Sequence, residues 1–360
     1  MSNAALSRFL LNRRAFLEHA ARVSGAALAT VPLIGCGATE ENSPRQSADA
    51  GGSDGGATDA GLSPTDTFAN DGSLPDAAPA NPWFRFAVIA DTHIIDEWYT
   101  GPESNELDTT SMFLTSERLI AARDFLNSLT PRPEFVCHVG DLIHDYPSDD
   151  LNFFFQNRTR LDEASTILDG FGVPIHLCLG NHDYEFRTVP RAETHALFRE
   201  KMGVEPWHAF EHRGWKFIFL DTYSGETHNP TSPLFLRDLN GSIGEEQLVW
   251  LQQQLADQKP CFIFLHQMLP TILTGEMGET DIFSIIREHQ DHIKYVIAGH
   301  THRWLDFGTE FGAPHMVMGA TRYDEDCFIV CDVNIETGEF VFANQATWGT
   351  ASPFAERWQV

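Results

Sequence analysis

Six apolar runs of strand length, each closed by a polar cluster, organise residues 84–302 of this 360-residue chain: FRFAVIADTH, EFVCHVGD, PIHLCLGNHD, KFIFLDT, CFIFLHQ and YVIAGHTH. A short apolar run bounded by turn residues reads as a strand buried on both faces. Between the first three lie SERLIAARDFLNSL and RTRLDEASTILDGF, whose apolar residues recur at spacings of three and four, the period of a helix. Strand, helix, strand alternation predicts an α/β fold with a parallel sheet in this half. EEQLVWLQQQLADQ and DIFSIIREHQ read as further amphipathic helices, and Phe153, Phe154 and Phe155 as core anchors opening another. APHMVMGA, CFIVCDVN and EFVFANQ then follow as strands without helices between them, so the later sheet is expected to be partly antiparallel.

The first 82 residues have a different character. Arg13 and Arg14 precede a small, apolar stretch from Val23 to Ile34 that ends at Cys36. The stretch is shorter than the roughly 20 apolar residues that span a bilayer, and it reads as an export signal. Asn12 to Leu17 resembles a twin-arginine signal, and Leu33-Ile34-Gly35-Cys36 resembles a lipoprotein cleavage site with Cys36 as the lipidated residue. Residues 37–82 are rich in Gly, Ala, Ser, Asp and Pro, which bury too little apolar surface to offset ordering entropy; they are expected to form a flexible tether. The expected organisation is therefore a signal at 1–36, a tether at 37–82 and one domain at 83–360, exported and held on a membrane by its lipid.

The formal net charge is −27, and residues 1–36 contribute four Arg against one Glu, so their removal deepens it. Such a surface repels nucleic-acid phosphates, and nucleic acid is not an expected partner. Cys327 and Cys331 lie about 13 Å apart along one strand by strand rise, too far to bridge. The cysteines of the domain are expected as buried thiols, and no CxxC spacing suggests zinc.

The strand ends carry Asp91 and His93, Asp141, Asn181 with His182 and Asp183, His266, and His300 with His302. Ligands of α/β sheets bind at the carboxyl ends of strands, where all of these sit. Carboxylate, amide and imidazole without thiolate suit iron, manganese, zinc or nickel; calcium takes oxygen alone. His300 and His302, read as alternate residues of an extended segment, are expected to project to one side about 6 to 7 Å apart, one to each of two ions.

The set DTH, GD, GNHD, FLHQ and GHTH resembles the calcineurin-like metallophosphoesterases over Asp91 to His302. The resemblance implies a four-layer α/β/β/α sandwich with two central mixed sheets and a two-metal centre. Asp91, His93, Asp141 and His302 would hold one metal, and Asp141, Asn181, His266 and His300 the other, with Asp141 bridging. The ions would be divalent or mixed-valence, and a hydroxide bridging them would attack a phosphodiester or phosphomonoester. His182 would stabilise the transition state or protonate the leaving oxygen, with Asp183 orienting it. His144, a position that varies among relatives, counts with the catalytic candidates.

His144 stands where purple acid phosphatases have Tyr, and GDLIHDY and GNHD lack the Arg and Glu of the serine/threonine phosphatases. A repair-nuclease branch also has His there, but the acidic surface weighs against DNA. The pattern is most similar to the class III cyclic nucleotide phosphodiesterase and glycerophosphodiesterase-like branch. Substrate choice is expected in loops 94–112, 222–243 and 267–280, with Trp98 and Tyr99 packing the first loop onto the domain. The competing reading is a surface-tethered binding lipoprotein that keeps the fold without turnover. A decayed site would lose one of Asp141, Asn181 or His300, and none is lost.

Overall fold

The apolar runs form strands whose side chains divide, residue by residue, between two different cores. The computed structural model describes residues 81–348 except 186–187, 230, 233–234, 236–239 and 274–280. Arg13, Arg14, Cys36 and nearly all of the tether lie outside the described residues, as do parts of loops 222–243 and 267–280.

In chain order the described elements are β1 (Trp83–Ile89), α1 (Glu106–Met112), α2 (Thr115–Ser128), β2 (Phe135–Val139), α3 (Leu151–Gln156), α4 (Arg160–Asp169), β3 (Ile175–Cys178) and α5 (Arg191–Met202). Then come β4 (His208–His212), β5 (Trp215–Leu220), β6 (Gly241–Ser242), α6 (Glu245–Leu255), β7 (Cys261–Leu265), β8 (Ile272–Leu273), α7 (Ile282–Glu288) and β9 (Ile293–Ala298). The last strands are β10 (Leu305–Asp306), β11 (His315–Val317), β12 (Ile329–Asn334) and β13 (Phe340–Phe342).

One sheet has the order β13-β12-β1-β2-β3 and the other β10-β11-β9-β7-β5-β4. β1, β2 and β3 are parallel, with Phe86 opposite Phe135 and Cys137 opposite His176. In the second sheet β5, β7, β9 and β11 are parallel, and the edges β4 and β10 run antiparallel. The expectation for the final strands needs correction in its placement. β12 belongs to the first sheet, antiparallel to β1, and β13 pairs antiparallel to β12 at its edge, while β11 pairs parallel to β9 in the second.

The four layers follow from period-two alternation. Phe84, Phe86 and Val88 of β1 share a core with Phe217 and Phe219 of β5 and Phe262 and Phe264 of β7, between the sheets. The intervening Ala87 and Ile89 face Leu119, Ala122 and Leu126 of α2 and Leu161 and Ala164 of α4. On the far side, Ile218, Leu220, Ile263 and Leu265 pack on Leu248 and Leu251 of α6 and Ile285 and Ile286 of α7. Phenylalanine fills the gap of about 10 Å between stacked sheets, and Phe86 stacks on Phe135 with ring centroids 5.4 Å apart. Truncating one such ring to Ala costs about 3–5 kcal/mol.

Of the three phenylalanines of α3, Phe154 is buried in the core, Phe153 packs half-buried against it and Phe155 is exposed beneath the Lys201 ammonium, so two of the three serve as anchors. Cys137, Cys178, Cys261, Cys327 and Cys331 are buried free thiols. Trp98 packs edge-on against Phe153 at 5.1 Å while remaining 40% exposed. No helix among the described residues is long and apolar enough to cross a membrane.

Candidate metal centre

Parallel strands end on the same edge, so β1, β2 and β3 deliver Asp91 and His93, Asp141, and Asn181 to one place, and β7 and β9 bring His266, His300 and His302. Backbone hydrogen bonds extend the ladders past the strand ends: Asp91 N donates to Gly140 O at 3.0 Å, His93 N to Asp141 O at 3.0 Å and Gly299 N to His266 O at 3.1 Å. Two contacts tie the sheets together at this edge. The Nδ1–H of His266 donates to Val139 O at 2.9 Å, and His300 N donates to Asp91 Oδ1 at 2.9 Å.

Asp91, His93, Asp141, His300 and His302 all have positive φ, at 51°, 47°, 52°, 75° and 56°. Left-handed backbone at a non-glycine residue costs about 1–3 kcal/mol and is retained where surrounding structure enforces it. The expectation of an extended His300-Thr301-His302 segment is therefore corrected: β9 ends at Ala298, and the two histidines are aimed by two left-handed turns of the chain.

Two glycines make the crowding possible. At Gly140, with φ +92°, an added Cβ would stand 2.5 Å from Nδ1 of His266. At Gly180 it would overlap both the backbone N and the carboxylate of Asp141. The Gly of GD and the Gly of GNHD are thus spaces occupied by neighbouring ligand residues.

The side chains form two groups with one member in common. Asp91, His93, Asp141 and His302 bring their ligand atoms within 4.8 Å of one another, and so do Asp141, His266 and His300. Asn181 joins the second group, its Oδ1 lying 2.8 Å from His300 Nδ1 and 3.1 Å from His266 Nε2. The shared atom is Oδ2 of Asp141, 3.2 Å from His266 Nε2 and 3.6 Å from His93 Nε2. The other oxygen, Oδ1, accepts the backbone N–H of His182 at 2.9 Å, which fixes the carboxylate's orientation.

This donor set fits cations. With Nδ1–H of His266 committed to Val139, its Nε2 faces Asp141 Oδ2 and Asn181 Oδ1, both acceptors. Burial opposes a charge on His266, yet Asp141 beside it pushes its pKa up to about 9. A positive charge is what the spot selects. Burial holds His93 well below the ordinary imidazole range and His300 at about 3, keeping both neutral as ligation requires. Burial raises the Asp141 carboxyl, but His266, His182 and His300 around it outweigh burial and keep it ionised.

His182 is differently placed. Its ring lies 4.7 Å from that of His93 and stacks at 4.9 Å on His144, and its Nδ1 is 2.6 Å from Asp145 Oδ1. Asp183 does not perform the expected orienting role. Its carboxylate accepts the backbone N–H groups of Gly180 at 2.7 Å, Ile143 at 3.0 Å and Leu142 at 3.2 Å, clipping the GNHD turn onto the GD turn. Asp145, itself left-handed at φ 53°, is the carboxylate on His182. It was legible only as the residue after His144, with no motif to mark it.

His144 lies behind His93, its Nδ1 3.2 Å from His93 Nδ1 and its Nε2 3.2 Å from Glu103 Oε1. His93, His144 and His182 thereby form a third set of converging nitrogens. The imidazole of His144 holds the Glu103 carboxyl down at about 2. Glu103 belongs to loop 94–112 and has no spacing signature.

The fold and the donor set define a metal-binding hydrolase of the α/β class. The family model of the calcineurin-like phosphoesterases matches residues 84–304, and the chain belongs to that family, as a phosphoesterase enzyme. The rat serine/threonine-protein phosphatase CPPED1 is 27% identical over 238 residues, covering 61% of this chain and 70% of the relative. Its human counterpart is 28% identical over 236 residues, covering 61% and 69%. A solved dimetal phosphatase from Danio rerio shares the fold at 22% identity and a TM-score of 0.50, covering 69% of this chain and 92% of that one.

Proposed function

We propose that this chain is a two-metal hydrolase of a small phosphodiester or phosphomonoester. The observation that carries the reading is the position of Asp141 Oδ2 between His93 Nε2 and His266 Nε2, one atom common to both donor groups. Ions held there would supply Lewis acidity to phosphoryl oxygens and an activated water. Iron, manganese, zinc and nickel all suit these ligands.

The chain's own contribution centres on His182. Asp145 engages Nδ1 at 2.6 Å, so Nε2 is the ring nitrogen that would carry a proton toward a substrate oxygen, and the ring's 4.7 Å approach to His93 keeps it beside the ligands. In that place it serves to stabilise charge on a phosphoryl oxygen or to protonate the leaving oxygen. The curated relatives are named serine/threonine-protein phosphatases, a monoester activity, whereas the motif pattern is most similar to the phosphodiesterase branch. Rates on p-nitrophenyl phosphate and bis-p-nitrophenyl phosphate, with manganese or iron present, separate the two. Inertness toward both defeats the proposal.

The same reading places the domain outside the cytoplasmic membrane, tethered by 37–82 to a lipid on Cys36 after export through Arg13 and Arg14. Cys36→Ala should move the protein from the membrane fraction to the soluble exported fraction. Unchanged membrane association would refute the anchor.

A further inference from the structure

Loop 94–112, one of the segments expected to set substrate choice, makes the contacts of a brace. Glu103 N donates to Thr109 Oγ1 at 2.9 Å, and Asn105 caps α1 by accepting Asp108 N at 2.9 Å. From the other side, Arg322 donates from Nε to Ser111 Oγ at 2.8 Å and from Nη2 to Asp108 O at 3.1 Å, and Tyr323 OH donates to Asp108 Oδ1 at 2.5 Å. Arg322 is itself fixed to the ligand strand, its backbone N donating to Asp91 O at 3.1 Å. The loop is bolted to the same turn that carries Asp91 and His93.

What this places beside the centre is a carboxylate. Nε2 of His93 points to the donor group, 3.0 Å from His302 Nε2 and 3.6 Å from Asp141 Oδ2. A histidine that ligates through Nε2 carries its hydrogen on Nδ1, and that Nδ1 faces His144 Nδ1 at 3.2 Å. His144 must then accept at Nδ1 and carry its own hydrogen on Nε2, which faces Glu103 Oε1 at 3.2 Å. Glu103 Oε1 also accepts Tyr99 OH at 2.8 Å. The tautomers along the row are determined in sequence, each by its neighbour. Reversing one would set two N–H groups, or two lone pairs, against each other.

We infer that Glu103 is a positioning residue for the first metal: through His144 it fixes the tautomer and ring orientation of His93. Carboxylates one hydrogen bond behind a ligating histidine perform this task directly, and losing such a partner costs roughly 10–100-fold in metal affinity. Here the task is relayed through one additional imidazole. The role explains why a buried histidine at 144 is compatible with a centre whose ligands are already complete: it extends His93 to a carboxylate that the loop supplies.

This rests on the metal-centre reading, and the test separates the two. The full chain, stripped with chelator, is titrated with cobalt(II) alone, following uptake by visible absorbance and calorimetry, so that no catalytic assay is involved. In the Glu103→Ala protein, one of two cobalt equivalents should weaken by roughly 10–100-fold and the other should hold. Glu103→Gln keeps an acceptor oxygen facing His144 and should restore the affinity to within about fivefold, whereas Glu103→Asp keeps the charge but loses the reach and should resemble the Ala variant. The Gln and Asp variants decide the matter if the Ala variant does not fold. Wild-type affinity in the Ala or Asp variant, a Gln variant as weak as the Ala variant, or equal weakening of both equivalents would overturn the inference. A wild-type protein that takes up no cobalt would overturn the metal-centre reading and this inference with it.

Discussion

Nδ1 of His182 lies 2.6 Å from Oδ1 of Asp145, five residues beyond Gly140 on the turn that also carries the shared ligand Asp141. The pair commits Nδ1, which makes Nε2 the working nitrogen of the proposed reaction, and the tie of His182 N to Asp141 Oδ1 at 2.9 Å locates the residue relative to the donor groups. Asp145→Asn should therefore keep its metals and lose turnover. If His182 protonates the leaving oxygen, the loss should be about 100-fold for an alkyl phosphate and much smaller for p-nitrophenyl phosphate, whose leaving group needs no proton. An equal loss on both substrates would assign His182 to charge stabilisation.

Gly180→Ala is expected to empty the centre. The added methyl overlaps the Asp141 backbone and carboxylate, so the shared ligand must move, and overpacking of this kind costs about 1–3 kcal/mol. Metal content and thermal midpoint should both fall. A variant that retains full metal would show that the two turns can separate without cost.

Chelation should lower thermal stability and readdition of manganese should restore it. Without an ion, Asp141 Oδ2 and His266 Nε2 face each other at 3.2 Å as two acceptors while the Nδ1–H of His266 is held by Val139. At a free metal concentration 100 times the dissociation constant the bound state gains about 2.7 kcal/mol. A midpoint indifferent to both treatments would contradict the assigned ligand set.

Away from the centre, burial and neighbouring histidines push His176 down to about 3, and burial pushes His208 down to about 4. Their rings lie 5.8 Å apart, and His176 stacks on Phe210 at 3.7 Å. Between pH 6.5 and about 4 the unfolded chain binds protons on these histidines that the folded chain refuses. Stability should thus fall as pH falls through that window, and His176→Phe should reduce the slope by up to about one proton. Denaturant titrations across pH check this, and identical slopes for both proteins would refute it.

The sequence displayed the ligand residues because metal chemistry demands particular side chains at strand ends, where runs such as FVCHVGD stop abruptly. Residues that act through a neighbour carry no such mark. Asp145 and Glu103 are ordinary acidic residues until the fold sets them against His182 and His144. Asp183 was misassigned because adjacency in sequence suggested contact, whereas its turn directs the carboxylate to backbone N–H groups. The left-handed φ of His300 and His302 is equally invisible in GHTH, since histidine, though enriched there over most residues, adopts it only in a minority of cases. Among the elements, α5 escaped because it buries Thr194 and His195 beside Leu197 and Phe198, which blurs the apolar period. β4 escaped because its five residues include two histidines and a glutamate.

The two-metal phosphoesterase reading is tested most directly by titrating the chelated protein with manganese while measuring hydrolysis of p-nitrophenyl phosphate and bis-p-nitrophenyl phosphate. The expected result is no turnover without metal and a rate on at least one ester that reaches its plateau at about two equivalents, abolished by Asp141→Asn. Hydrolysis that survives chelation, or inertness toward both esters with two equivalents bound, would contradict it.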